Sequence, residues 1–235
     1  MRPRQRHRGA PHSARPIRGV VFDLDGVLVQ SEHLGWIAWR DFLQPLGHEF
    51  SFDQYRVLIG TGETAHVIRQ RYGLEIPLAD LVLDHRRRLM ALVQTDLVVT
   101  PGAIDTVTEV RARGRLVAVA TNSPLEYVQR ILELTNLGAY LDAVVTAGET
   151  GSAKPAPDVY LATATRLGVT PSQCLAVEDS PPGEIAALRA GMLCAIVPNR
   201  HLSSAGFSKL SPRFPTLVAF RAALEYLLEG RVCSA

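Results

Sequence analysis

The segment GVVFDLDG, residues 19–26, decides the fold. Gly19 to Phe22 form an apolar run that leads directly into Asp23 and Asp25, and such a run is typical of a β-strand covered on both faces. Side chains two residues apart on an extended chain point to the same side, so both carboxylates lean toward one face where the strand ends. Because a buried acid is costly without a cation or a proton, the segment predicts a buried strand that ends in a polar site.

Apolar strand-like runs recur along the chain and alternate with segments of helical periodicity. Further strands are predicted over residues 115–121, 142–147, 173–178 and 192–198, and helices over 103–113, 125–134, 157–167 and 185–190. This alternation predicts the α/β class, as a Rossmann-like doubly wound parallel sheet with helices on both faces.

Residues 31–97 break the alternation. They contain no strand pattern, and their apolar spacing predicts helices over residues 32–46, 52–59, 63–72 and 78–96. About 65 residues is too long for an ordinary connection between elements. We therefore expect an α-helical cap domain at 31–97, inserted into a Rossmann-like core made of residues 17–30 and 98–235. The two crossings between these parts, near 30–31 and 97–101, predict a hinge.

Composition limits the class of partner. An apolar fraction of 47% excludes global disorder. Six arginines and no acid stand in the first 18 residues, so the rest of the chain is acidic despite the net charge of +2. We interpret residues 1–16 as a basic disordered tail and expect no nucleic-acid partner.

No apolar run approaches the roughly 20 residues of a membrane-spanning helix, so no membrane association is expected. The N-terminus lacks the apolar segment of a secretory signal, and three cysteines stand without metal-like spacing. These features predict a cytoplasmic protein. Nothing in the sequence indicates an oligomeric state.

Polar residues also stand at or after the ends of later predicted strands. Thr121 and Asn122 precede a helix, where hydroxyl and free backbone N–H groups either cap the helix or bind an anion. Lys154 stands in a proline-rich loop that restricts its freedom. Glu178 and Asp179 end the strand predicted over 173–178. Alone, each feature has an ordinary structural explanation.

Together, these residues predict a site. The carboxyl ends of parallel strands lie at one edge of the sheet, so the acids, the lysine and the threonine should converge there. Packed carboxylates repel one another and raise one another's pKa unless a cation is present. Oxygen ligands suit Mg²⁺, and a lysine beside such a metal suits a phosphoryl group.

Four ordered motifs carry a family resemblance: FDLDGVLVQSE (22–32), ATNS (120–123), AKPAPDVY (153–160) and VEDSPPG (177–183). With them the chain resembles the haloacid dehalogenase superfamily, in the helical-cap branch similar to β-phosphoglucomutase and phosphoglycolate phosphatase. The resemblance runs in order through residues 18–198, and it is specific in the core and general in the cap.

The resemblance implies a Mg²⁺-dependent phosphatase that hydrolyses a small phosphorylated metabolite, such as a sugar phosphate, through an aspartyl-phosphate. It implies that Asp23 is the nucleophile and that Asp25 is the general acid and base, with its backbone carbonyl on the metal. It further implies that Thr121, the Asn122 backbone and Lys154 bind phosphate, and that Asp23, Asp25, Glu178 and Asp179 bind Mg²⁺.

Departures from the family pattern bear on the activity. Gln30 replaces an acid at the base of the flap, Gly35 stands where mutase relatives carry histidine, and the loop over 58–63 has no basic residue. A mutase must hold a second phosphate, which demands a second cationic site. A hydrolase is therefore favoured, with a β-phosphoglucomutase-like sugar-phosphate mutase as the close alternative.

Two other classes fit less well. A phospho-acceptor regulatory domain lacks the helical insertion and carries its acceptor on a later strand. An interaction module without catalytic activity would be expected to lack one of the core motif residues, and all of them are present in this sequence. The run of arginines at 86–88 is interpreted as a solvated helix face.

Overall fold

The computed structural model describes residues 16–199 and 206–230, so the predicted tail lies almost entirely outside the described residues. In the described part the strands are β1 (Gly19–Phe22), β2 (Val29–Gln30), β3 (Val98–Val99), β4 (Leu116–Thr121), β5 (Ala143–Thr146), β6 (Cys174–Glu178) and β7 (Leu193–Ile196). The helices are α1 (Glu32–Leu43), α2 (Phe52–Arg56), α3 (Thr64–Arg71), α4 (Leu78–Asp96), α5 (Ala103–Ala112), α6 (Leu125–Thr135), α7 (Ala147–Thr150), α8 (Asp158–Leu167), α9 (Pro181–Arg189), α10 (Leu217–Ala222) and α11 (Leu224–Leu228).

Five strands form a parallel sheet in the order β5-β4-β1-β6-β7. Strand β1 is central, and the carboxyl ends of its neighbours β4 and β6 lie next to the carboxyl end of β1. The predicted α/β class with a Rossmann-like parallel sheet is confirmed. All five carboxyl ends share one edge, which is the edge at which open sheets of this kind bind ligands.

The alternation of side chains along β1 divides the core between the two faces of the sheet. Val20 and Phe22 belong to one hydrophobic cluster, and Val21 belongs to the other. All three side chains are fully buried. Because both faces are covered, β1 is apolar throughout, and its polar residues begin only where the strand ends.

Helices α1 to α4 occupy the segment between the short strands β2 and β3, which pair antiparallel with Val29 opposite Val99. These helices pack around a separate hydrophobic cluster, whose buried members are Trp39, Leu43, Phe50, Tyr55, Ile68 and Leu81. The division of the chain into a core and a cap stays a prediction. No helix in the described residues is both long enough and apolar enough to cross a membrane.

Several predicted helix boundaries are wrong by a few residues. Helix α1 ends at Leu43 and continues as a single 3₁₀ turn that contains Pro45, which lacks the N–H that a further α-helical turn needs. Helix α9 begins at Pro181, earlier than predicted, because proline is well tolerated in a first turn and the Ser180 hydroxyl caps the helix.

Candidate active site

Asp23 and Asp25 directly follow β1. The backbone N–H of Asp23 donates to the carbonyl of Val177 at 2.9 Å, which continues the pairing of β1 with β6 beyond the end of the strand. Gly26 then turns the chain with a positive φ of 81°. A Cβ at this position would lie 1.9 Å from Oδ2 of Asp179, so glycine is required for this loop to lie against the end of β6.

Lys154 joins three strand ends. Its buried ammonium group donates to Oδ1 of Asp23 at 2.6 Å, to Oε1 of Glu178 at 2.6 Å and to the carbonyl of Ala120 at 2.8 Å. These contacts use all three ammonium protons. Burial alone would lower the pKa of Lys154, but the carboxylates of Asp23 and Glu178 raise it above its ordinary value. The lysine is therefore a permanent cation at this site.

Glu178 is fully buried, and both of its carboxylate oxygens accept hydrogen bonds. Oε1 accepts from Lys154 and from the hydroxyl of Tyr160 at 2.5 Å. Oε2 accepts from the backbone N–H of Asp179 at 3.2 Å and from the hydroxyl of Ser180 at 3.3 Å. This arrangement holds Glu178 rigidly against Lys154.

Three buried carboxylates form an acidic cluster. One oxygen each from Asp23, Glu178 and Asp179 lies within 4.8 Å of the other two. Burial raises the pKa of Asp23 to about 7, with the charges of Glu178 and Asp25 adding to the shift and Lys154 opposing it. Burial and the charges of Asp23 and Glu178 also raise the pKa of Asp179 well above its ordinary range. A divalent cation among these oxygens would relieve that repulsion, so the donor set fits Mg²⁺.

The carboxylate of Asp25 faces hydroxyl groups. Oδ1 accepts from Ser31 and, at 2.9 Å, from Tyr127, and Oδ2 accepts from Ser123 at 2.6 Å. Three hydroxyl donors hold the side chain in one orientation, apart from the three-acid cluster.

Thr121 and Asn122 stand where β4 ends. The buried hydroxyl of Thr121 accepts from the backbone N–H of Ser123 at 3.0 Å, which leaves its own proton available. Oδ1 of Asn122 accepts from the backbone N–H of Lys154 at 2.8 Å. The Asn122 side chain therefore holds the loop that carries the lysine, a function that the sequence did not reveal.

A cavity of about 340 Å³ opens onto this cluster. Six of the seven predicted site residues line it: Asp23, Asp25, Thr121, Asn122, Lys154 and Asp179. Glu178 does not line the cavity, but it contacts three residues that do: Lys154, Asp179 and Ser180. The structure thus brings all seven predicted residues together at one edge of the sheet.

The opposite wall of the cavity belongs to the segment of α1 to α4. Glu32, Gly35, Tyr55, His85 and Arg86 are among its lining residues. Burial, followed by the charges of Asp25 and Asp23, raises the pKa of Glu32 to about 8. The hydroxyl of Tyr55 donates to Oε2 of Glu32 at 3.4 Å.

The arginine run at 86–88 does not form one solvated face, so that interpretation is wrong. Arg86 lines the cavity, Arg87 is exposed, and Arg88 pairs with Asp84 at 2.6 Å. Sequence reasoning also gave no function to Tyr160 or Tyr127. Tyr160 ends the motif AKPAPDVY, which was a usable signal, whereas no pattern marked Tyr127.

A parallel α/β sheet that gathers buried acids, a lysine and a threonine at its carboxyl edge, beside a cavity that is also lined by α1, α2 and α4, is the arrangement of phosphatases with a Rossmann-like fold. The family model for haloacid dehalogenase-like hydrolases matches residues 17–191, and the chain belongs to this family. The predicted family and the predicted phosphatase class are both confirmed.

Named relatives agree with this assignment. Hexitol phosphatase B of Escherichia coli (strain K12) is 33% identical over 190 residues, which cover 78% of this chain and 85% of that protein. The fructose-1-phosphate phosphatase YqaB of the same organism is 33% identical over 176 residues, with coverage of 74% and 93%. The structure of CbbY from Rhodobacter sphaeroides in complex with phosphate superposes with a TM-score of 0.75 at 25% identity, covering 86% of this chain and 95% of that one.

Proposed function

We propose that the protein is a Mg²⁺-dependent phosphatase that hydrolyses a small phosphorylated metabolite, such as a sugar phosphate, through an aspartyl-phosphate on Asp23. The observation that carries the proposal is the contact of 2.6 Å between Lys154 and Asp23 at the wall of a cavity that Asp25 and Thr121 also line. Relatives named as phosphatases of a hexitol phosphate and a sugar phosphate support this class of substrate.

In the first step, a carboxylate oxygen of Asp23 attacks phosphorus. A bond forms between Asp23 and phosphorus, the bond from phosphorus to the substrate oxygen breaks, and Asp25 gives its proton to the departing alcohol. A carboxylate is repelled by a phosphate dianion, and the positive charge of Lys154 offsets that repulsion. The Thr121 hydroxyl and the Asn122 backbone bind the phosphoryl oxygens.

In the second step, Asp25 removes a proton from water, and the water oxygen attacks phosphorus. The bond between phosphorus and Asp23 breaks, inorganic phosphate leaves, and both aspartates return to their starting states. The hydroxyls of Ser123 and Tyr127 keep the Asp25 side chain oriented through both steps.

The carboxylates of Asp23 and Asp179, with the backbone carbonyl of Asp25, would hold Mg²⁺. When bound, the ion supplies positive charge that lowers the repulsion between the acids and the phosphoryl oxygens. Both carboxylate oxygens of Glu178 already accept hydrogen bonds, from Lys154 and from the backbone N–H of Asp179. We therefore propose that Glu178 positions Lys154 in preference to binding the metal directly.

We also propose that residues 31–97 act as a cap over a core of residues 17–30 and 98–235. The further hydrophobic cluster of α1 to α4 supports a cap with packing of its own, which also joins the core through Leu34 and Val93. The pairing of β2 with β3 supports a hinge where the chain passes between the two parts. A cap that closes on the substrate would exclude water from the first step.

The test is a panel of small phosphorylated metabolites assayed for phosphate release with Mg²⁺ and with EDTA. Asp23→Asn should abolish release from every substrate, and Asp53→Asn, a change at a largely exposed acid, should leave it intact. Unchanged turnover in Asp23→Asn would overturn the proposal. Isomerised product without free phosphate would instead indicate the mutase alternative.

A further inference from the structure

One face of α4 forms part of the cavity wall. Val82, His85, Arg86 and Leu89 all line the cavity, at the spacing of three, four and seven residues that defines a single face of an α-helix. The polar members of this face therefore point toward whatever the cavity binds.

Arg86 has no anionic partner in the part of the chain that the structure describes. No ion pair or hydrogen bond joins its side chain to another described residue, whereas Arg88, two positions along, pairs with Asp84 at 2.6 Å. Arg86 is half-buried at the cavity wall, so part of its hydration is lost without compensation. A positive charge in this situation favours an anionic ligand.

The other two basic residues that line the cavity, Lys154 and His85, are not available to bind a second anion. All three ammonium protons of Lys154 are engaged by Asp23, Glu178 and Ala120. Nε2 of His85 lies 3.1 Å from the carbonyl oxygen of Gly35, which can only accept, so this nitrogen bears a proton. Burial lowers the pKa of His85 to about 4, and the ring is therefore uncharged at neutral pH.

We propose that Arg86 is a specificity-determining residue that binds a second anionic group of the substrate, a carboxylate or a second phosphate, distinct from the phosphoryl group that is removed. This inference rests on the proposed function, because it takes the phosphoryl group to be bound at Asp23, Thr121 and the Asn122 backbone, with the charge of Lys154 beside it. The planar guanidinium suits both kinds of anion, since it forms paired hydrogen bonds with either.

The size of the cavity limits the substrate further. A volume of about 340 Å³ lies near the lower end of the range for small-molecule sites, roughly 300–1,000 Å³. The cavity suits a small metabolite that carries a second anionic group.

The test compares matched substrates that differ by one anionic group. Phosphoglycerate is paired with glycerol phosphate, phosphogluconate with a hexitol phosphate, and a hexose bisphosphate with the hexose monophosphate. In at least one pair, wild type should prefer the member with two anionic groups by roughly 10- to 100-fold in kcat/KM, mainly through KM. The first two pairs report a carboxylate, and the third reports a second phosphate.

Arg86→Gln should abolish that preference while leaving turnover of the substrate with a single anionic group nearly unchanged. Arg86→Lys should keep part of the preference, and Arg87→Gln, a change at the exposed neighbour, should keep all of it. Equal losses for both members of every pair in Arg86→Gln would mean that Arg86 binds the reacting phosphoryl group, and this would overturn the inference. An absence of preference in wild type for all three pairs would overturn it as well.

Calorimetric binding of the same pairs to Asp23→Asn protein, with and without Arg86→Gln, separates the two proposals. A binding preference that depends on Arg86, found together with no phosphate release by wild type, supports the inference and contradicts the proposed function. Phosphate release without any preference that depends on Arg86 supports the proposed function and contradicts the inference.

Discussion

The ammonium nitrogen of Lys154 lies 2.6 Å from Oδ1 of Asp23, although 131 positions separate the two residues in the sequence. The same nitrogen lies 2.6 Å from Oε1 of Glu178, so one cation serves two buried carboxylates. Breaking a buried ion pair by removing one partner is strongly destabilising, because the remaining charge has neither water nor a counter-charge. The ion pairs of Lys154 therefore stabilise the fold as well as holding Asp23 in place at the cavity.

Lys154→Met should lower the free energy of unfolding by about 3 kcal/mol or more at neutral pH, since both carboxylates lose their counter-charge. Chemical denaturation measures the loss. Lys209→Met, at the other lysine of the sequence, is the matched control, because Lys209 is exposed and the change should have little effect. Equal stability of the two variants would show that the ion pairs of Lys154 do not stabilise the fold.

Mg²⁺ should raise the unfolding temperature of the wild-type protein, and EDTA should reverse the rise. Binding to the folded state alone adds about 2.7 kcal/mol at a metal concentration one hundred times the Kd. Asp179→Asn should remove the Mg²⁺ effect without lowering stability in EDTA, because it deletes one of three mutually repelling buried acids. A full Mg²⁺ response in this variant would exclude Asp179 as a ligand.

Gly35→Ala should destabilise the protein by about 1–3 kcal/mol, although alanine normally favours a helix. A Cβ at residue 35 would lie 2.4 Å from the hydroxyl oxygen of Tyr55, which is buried and faces Glu32. The cost should largely disappear in a Tyr55→Phe background, which removes that oxygen. A double-mutant cycle measures the coupling. Additive effects of the two substitutions on the free energy of unfolding would show that the close contact does not cause the destabilisation.

His85 should make the protein less stable as the pH is lowered from about 6.5 to about 4, whereas buried acids whose pKa is raised, such as Asp23 and Glu32, act in the opposite direction. Burial lowers the pKa of His85 in the folded state to about 4 from an ordinary value of 6.5. Between these values the unfolded chain binds the proton more readily, so the contribution of His85 is complete above the upper value and is lost as the pH falls. The contribution is at most about 3 kcal/mol.

Denaturation at a series of pH values should therefore show that His85→Gln becomes more stable relative to wild type as the pH falls from about 6.5 to about 4, so the two proteins differ in the slope of the unfolding free energy against pH. The substitution keeps an amide donor near the carbonyl of Gly35 and removes the titrating ring. His66→Gln, at an exposed histidine, should leave the slope unchanged. Equal slopes for His85→Gln and wild type would contradict the assignment.

Much of the sheet was predictable from local pattern. The apolar runs at 19–23 and 173–178 matched β1 and β6 to within a residue, because doubly covered strands must be apolar along their whole length. Helix α4 matched the predicted limits of 78–96. The ends of α1 and α9 were less predictable, because capping and proline chemistry decide them and periodicity does not.

The acids of the candidate site were also accessible to sequence reasoning. The carboxyl ends of parallel strands share one edge, and Asp23 and Asp179 each stand directly after a strand of that kind. The partners of these acids were not accessible. Nothing local distinguishes Tyr127, whose hydroxyl contacts Asp25, from any other aromatic residue on an amphipathic helix.

Arg86 shows most clearly what sequence reasoning cannot predict, because three consecutive arginines look alike in the sequence. Their environments differ since a helix turns about 100° per residue, and only the packing of α4 decides which arginine faces the cavity. The sequence by itself determined the parallel sheet, the family and the acids at the strand ends, because these follow from local periodicity and from motifs of adjacent residues. Tertiary structure alone decided that Lys154 bridges two carboxylates, that Glu178 is withdrawn from the cavity and that Arg86 enters its wall, because such contacts depend on how distant segments pack together.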